Sequence, residues 1–158
     1  MTKQIDRRKD SIPRTEVRGL DSRAYHVWFS PRRRMPAIIG EIPATLFGLL
    51  REIASEKGIT LLECEAGYDH VHLLLRPASG MPLARAVQLL KGISSRRLHE
   101  RFPGLQLDMG HDHFWQRGYG YRDVGPGALR SVAEYIRKHR DHLPGMESGA
   151  AQFSARGR

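Results

Sequence analysis

YDHVHLLLR, residues Tyr68 to Arg76, carries the pattern that decides the fold. Side chains alternate between the two faces of an extended strand, so His70, His72 and Leu74 share one face and Val71, Leu73 and Leu75 the other. The aliphatic stripe calls for a cover of helices and leaves the histidine face to something polar, a metal or a phosphate. A His-x-His pair alone is short enough to be structural, hydrogen-bonded within a core. A third ligand, or a nucleophile on one face of a helix, is what would make it a site.

Working outward, Ile59 to Glu65 reads as a strand, and the short Gly67-Tyr68 turn predicts that it forms an antiparallel hairpin with the histidine strand. Before it, Pro43 to Lys57 reads as a helix, with Leu46, Leu49, Leu50 and Ile53 at helical spacing and Gly58 as the stop. Ala24 to Ser30 (AYHVWFS) is the first strand, ended by Pro31. Arg32, Arg33 and Arg34 follow as either a solvated turn or a phosphate contact. Downstream, Pro82 is placed as the first residue of a helix reaching Arg101, with Leu83, Val87, Leu90, Ile93 and Leu98 as its apolar face. Gly92 is its weak point, and Arg85, Lys91, Arg96 and Arg97 lie on its polar side. A strand or strand pair is expected around Phe114 to Tyr121. After the Gly125-Pro126-Gly127 joint, the last helix spans Ala128 to His139 and packs through Leu129, Val132 and Ile136.

The chain of 158 residues suits one domain, 23–143, between a basic arm, 1–22, and a tail, 144–158. It carries 26 Lys and Arg against 17 Asp and Glu, a formal charge of +9, and many of the arginines lie inside the folded region. An anionic partner, nucleic acid first, follows from that balance. Cys64 is the one cysteine, which excludes an intrachain disulfide; its apolar run marks it as a small buried hydrophobe. No signal peptide and no membrane-length apolar run is visible, so a soluble cytoplasmic protein is expected.

Tyr135 and His139 stand four apart and are neighbours on one face of the last helix. If that helix lies across the histidine face of the sheet, Tyr135 and His139 can meet His70 and His72. Three imidazoles around a divalent ion would polarise a phosphodiester, and a phenol can serve as nucleophile and hold a covalent phosphotyrosine. Taken singly, Tyr135 could equally be a helix tyrosine capping the core.

The HVH strand, the preceding YHVWFSPRRR strand, KGISSRRLHERFP, FWQRGY and VAEYIRKH, in this order and spacing, resemble the single-tyrosine HUH transposases of small insertion sequences. REP-associated tyrosine transposases belong to that group. The resemblance covers about residues 23–143. It implies an α+β, ferredoxin-like antiparallel sheet with helices on one face, and His70 and His72 binding a divalent ion, magnesium or manganese. It further implies that Tyr135 attacks single-stranded DNA, giving a 5′-phosphotyrosine and a free 3′-hydroxyl. His139 stands where such proteins often carry a Gln as third metal ligand. Three imidazoles also suit zinc, and manganese satisfies both arguments. A homodimer is implied as well, in which the tyrosine helix can serve the partner's His pair.

Hairpin or single-stranded DNA is the expected partner. Arg32, Arg33, Arg34, Lys91, Arg96, Arg97, Arg117 and Lys138 are candidate phosphate contacts, and Trp28, Phe114, Trp115, Tyr119 and Tyr121 candidate stacking residues, Trp115 foremost. His111 and His113 form a second His-x-His in a loop-like setting where ligation is not expected, and His26, His99 and His142 are read as structural. A histidine-triad nucleotide hydrolase would need a third histidine where this chain has Leu74. A structural zinc site would need a fourth ligand that Cys64 is badly placed to give. The remaining rival is a non-catalytic, domesticated nucleic-acid-binding module of ferredoxin-like fold.

Overall fold

The first strand, β1 (Ala24–Phe29), runs into Ser30 and Pro31, where the chain leaves the sheet. The computed structural model describes residues 23–105 and 113–138; the arm, the tail, His111, His139 and His142 lie outside the described residues. Arg32–Arg34 forms a single 3-10 turn in which Arg33 and Arg34 both take positive φ, 55° and 53°. Two successive non-glycine residues in that region are strained. The turn is held by Met35 N–H donating to Arg32 O (3.1 Å) and Arg32 N–H donating to Phe114 O (2.9 Å).

Helix α1 (Ile42–Lys57) buries Ile42, Leu46, Leu49, Leu50, Ile53 and Ala54 and ends at Gly58, which takes φ 73° as a left-handed cap. β2 (Thr60–Ala66) and β3 (Val71–Arg76) form the expected antiparallel hairpin, closed by Gly67 N–H donating to His70 O (3.0 Å). Helix α2 (Leu83–Arg101) starts one residue later than expected: Pro82 is extended, at ψ 150°, and stands before the helix rather than in it. The helix runs unbroken through Gly92.

The strand expected around Phe114 to Tyr121 is displaced. Phe114 and Trp115 are core plugs: Trp115 Nε1–H donates to Ser94 Oγ and Phe114 N–H to Ser95 Oγ, both 2.9 Å. Gly118, at φ 83°, then redirects the chain, and β4 occupies Gly120–Val124. A 3-10 turn, Pro126–Ala128, leads to α3 (Leu129–Arg137).

The sheet order is β2-β3-β1-β4 with every neighbouring pair antiparallel. This βαββαβ arrangement is the ferredoxin-like α+β fold. Both crossover helices pack on the face bearing Val27, Phe29, Val71, Leu73 and Leu75, as the aliphatic stripe predicts. The opposite face is only partly open. Leu74 sits there in a second, smaller apolar cluster with Ala24, Leu62 and Val124, covered by Leu129, Ala133 and Ile136 of α3. Arg137 Nε–H also donates to the buried Glu63 Oε2 (2.9 Å), tying the end of α3 to β2.

Candidate active site

Turn 67–70 delivers His70 to the end of β3. A Cβ on Gly67 would collide with the His70 ring, so only glycine leaves the imidazole its place. His70 Nδ1 lies 2.9 Å from Asp69 Oδ1, a carboxylate that can accept only, which puts the proton on Nδ1. His72 follows two residues on, its ring 5.4 Å from that of His70 and inclined at 81°. His72 Nδ1 lies 2.7 Å from His26 Nε2, and both rings are buried. With the proton on His72 Nδ1 and that of His26 on its own Nδ1, each member of the HVH pair presents Nε2 as its basic nitrogen. An outer partner on the other ring nitrogen is what orients metal-binding imidazoles.

Helix α3 brings Tyr135 to the same place. Its ring stands 6.3 Å from His72 at 90° and 5.9 Å from His26 at 69°. Tyr135 remains 42% exposed, so a strand of nucleic acid can reach the phenol. Trp28 completes the floor, opposite His72 in the β1–β3 register with ring centroids 6.4 Å apart. Glu65, also buried, is the cross-strand neighbour of His72 on β2.

His70, His72 and Tyr135 therefore converge. His139 lies outside the described residues, and among the described residues no group of three or more His, Cys, Asp or Glu could hold a metal. Of the candidate phosphate contacts, Arg32, Arg33, Lys91 and Arg117 line one cleft of about 870 Å³ between α2 and the 113–119 segment. Lys91 has a structural task there too: Nζ donates to the carbonyls of Gln116 (2.8 Å) and Gly118 (2.6 Å), and burial lowers its pKa to about 8. Arg34 Nη1 reaches Ser30 Oγ (3.5 Å). Arg97 departs from expectation: it bridges Glu52 (2.7 Å) and Glu56 (3.2 Å) across α1 and α2, where its charge is offset. Arg96 and Lys138 are exposed and line neither described cavity.

Trp115, the foremost stacking candidate, is core, packed edge-on against Phe29 and Phe114 at 4.6 and 4.7 Å. Phe114 and Trp28 are buried as well, which leaves Tyr121, 55% exposed, and the half-buried Tyr119 beside it. Cys64 is a buried free thiol whose pKa burial pushes up, as its setting suggested. His99 Nδ1 bonds Ser95 O (2.8 Å), a structural role as expected. His26, which shows no partner in the sequence and reads there as structural, bonds His72 in the fold. The signal available was alternation, which puts His26 and Trp28 on one face of AYHVWFS; the pairing with β3 that brings His26 to His72 is not written in either strand alone.

Fold and site define a class: a ferredoxin-like domain with an imidazole pair and a helix-borne phenol on the face its crossover helices leave uncovered. The family model described as IS200-like transposase matches residues 20–139, and the chain belongs to that family. It is 34% identical over 113 residues to the transposase for insertion sequence element IS200 of Salmonella typhimurium, covering 72% of this chain and 74% of that protein. It is 29% identical over 117 residues to the ISDra2 transposase TnpA of Deinococcus radiodurans, covering 74% and 84%. A crystal structure of a transposase from Deinococcus radiodurans R1 superposes with a TM-score of 0.60 at 29% identity, over 73% of this chain and 88% of that one. The REP-associated tyrosine transposase bound to a REP hairpin shares the fold, with a TM-score of 0.53 at 12% identity, over 73% and 65%. Among the described residues, no helix is long and apolar enough to cross a membrane.

Proposed function

We propose that this chain is a metal-dependent DNA strand transferase that cuts and rejoins single-stranded DNA through Tyr135. The observation that carries the reading is the convergence of His70, His72 and an accessible Tyr135 on one sheet face. In the cleavage step Tyr135 Oη forms a bond to phosphorus and the P–O3′ bond breaks with its electron pair on O3′. The phenol proton leaves to solvent and O3′ takes one up. The products are a 5′-phosphotyrosine and a free 3′-hydroxyl, and attack by a 3′-hydroxyl on the phosphotyrosine reverses the step.

The donor set suits a divalent cation, since both imidazoles are oriented through Nδ1 by Asp69 and His26. Nε2 of His70 and His72, with His139 as third ligand, would hold magnesium or manganese, with zinc also compatible with imidazole donors. Such an ion supplies polarisation of a non-bridging phosphate oxygen and neutralises charge that builds there. Hairpin DNA at the ends of a mobile element or a repeat is the substrate we infer. The basic cleft of Arg32, Arg33, Lys91 and Arg117 is suited to its phosphates. The working unit is expected to be a homodimer, which light scattering on the purified protein tests.

The experiment is incubation with labelled single-stranded DNA carrying short hairpins and manganese or magnesium, followed by denaturing electrophoresis. A protein-bound label that vanishes in Tyr135→Phe and falls sharply in His70→Ala is expected. Tight binding with no adduct across a broad panel of hairpins and metals would replace the enzyme with a binding module.

A further inference from the structure

Between β4 and α3 lies a second cavity, of about 400 Å³, bordered by His26, Trp28, Arg122, Val124, Val132 and Tyr135. A pocket of that size is in the range that encloses a nucleotide-sized ligand. Among the described residues that line it, Arg122 is the sole Lys or Arg. Asp123 borders the cavity too, but its register partner is Tyr25, so strand alternation turns its carboxylate to the opposite sheet face.

Three features place the guanidinium for work at phosphorus. Gly120 lies opposite Trp28 in the β1–β4 register, and a Cβ there would collide with the indole, so glycine at 120 leaves the ring its place. Arg122, two residues further on the same strand face, lies over that ring with its guanidinium carbon 5.7 Å from the centroid, a cation–π contact. That cation–π contact anchors the guanidinium beside the cavity, and its N–H groups are of the kind that grip an anion in bidentate fashion. Arg122 is also the direct cross-strand partner of His26, the residue that bonds His72 and whose ring meets Tyr135 at 5.9 Å. The cation, the imidazole pair and the phenol thus border one space. Val124 and Val132 give that space an apolar wall, suited to the sugar or base next to the reacting phosphate rather than to a free inorganic anion.

Resting on the reading that Tyr135 is the nucleophile, we infer that Arg122 is a further catalytic residue: it grips the non-bridging oxygens of the scissile phosphodiester, and the cavity holds the adjoining nucleoside. Its contribution is charge, so it is needed only while the phosphate is charged. Arg122 is exposed on an edge strand, so its replacement removes no buried side chain, and Arg122→Lys keeps a long side chain beside Trp28.

The test uses the full-length protein and one hairpin substrate made in two forms, with a phosphodiester or a neutral methylphosphonate at the cleavage position mapped with wild-type protein. On the phosphodiester, Arg122→Ala is expected to slow adduct formation about 10²- to 10³-fold, the scale for loss of one transition-state donor, with Arg122→Lys in between. On the methylphosphonate, wild type and Arg122→Ala should react at similar rates. Phosphodiester cleavage by Arg122→Ala at the wild-type rate overturns the assignment, and so does equal slowing on both substrates. If no hairpin of the panel gives an adduct with wild-type protein, so that no cleavage position can be mapped, the Tyr135 reading itself is removed, and this inference with it.

Discussion

Replacing His26 with Phe removes the 2.7 Å hydrogen bond between His26 Nε2 and His72 Nδ1. Phe keeps a ring for Trp28, whose centroid lies 4.9 Å from that of His26, but offers no acceptor. His26 is only 7% exposed, so water cannot readily take over the bond. Stranding a buried donor costs about 1–3 kcal/mol of stability. Separately, a metal-binding imidazole that loses its outer partner is free to turn and to change tautomer, which lowers metal affinity about 10–100-fold. The two effects can be told apart. His26→Gln restores an acceptor without restoring the ring, so it should recover metal affinity more than stability. Manganese titration followed by the paramagnetic resonance of free ion reads the affinity, and urea unfolding of the metal-free protein reads the stability. A dissociation constant for His26→Phe within about twofold of wild type, despite lost stability, would refute the orienting role and leave His26 a packing residue.

Gly67→Ala forces the His70 ring from its seat; with a displacement of about 1 Å, adduct formation should fall about 10²-fold in the gel assay. Arg137→Ala strands the buried Glu63 carboxylate and should cost about 2–4 kcal/mol in urea unfolding, allowing for the partial exposure of Arg137, while adding Glu63→Leu should recover much of it. Lys91 titrates at about 8 in the folded protein against 10.5 for the ordinary side chain. The unfolded chain therefore binds more protons between these values. Stability should rise with pH through that window, the burial penalty being fully present below it. Calorimetric scans should show that rise in wild type and not in Lys91→Met. If Lys91 also meets a phosphate, its deprotonation should reduce the salt dependence of single-stranded DNA binding by about 0.7 in log–log slope.

Much of this molecule is legible along single strands and helices. Val71, Leu73 and Leu75 announce a helix-covered face, and Gly58, with φ 73°, stops α1 where a left-handed residue is required. The βαββαβ order follows from the elements and their connections. What could not be read depends on pairing between distant segments. His26 meets His72 only because Trp28 is opposite His72 and the strands are antiparallel. Arg122 joins them only because β4 adds to the other side of β1. Aromatic content misled around Phe114 and Trp115, because a buried plug and a strand both draw on the same residues. Arg97 shows the matching ambiguity for charge: on the helix surface a cation facing Glu52 and Glu56 reads the same as one awaiting a phosphate.

The apolar interior is divided by the sheet into two clusters of unequal size, and the smaller one exists to seat α3. Helix α3 has nine residues and three buried side chains, whereas His72 belongs to β3, which is paired on both sides, with β1 and β2. A short helix on a small cluster can open at a lower free energy than the whole domain. The helix that bears Tyr135 and the strand that bears His72 thus open on separate schedules. On gentle heating, covalent chemistry should cease while the sheet and its crossover helices still give a native circular dichroism spectrum, and cooling should restore it.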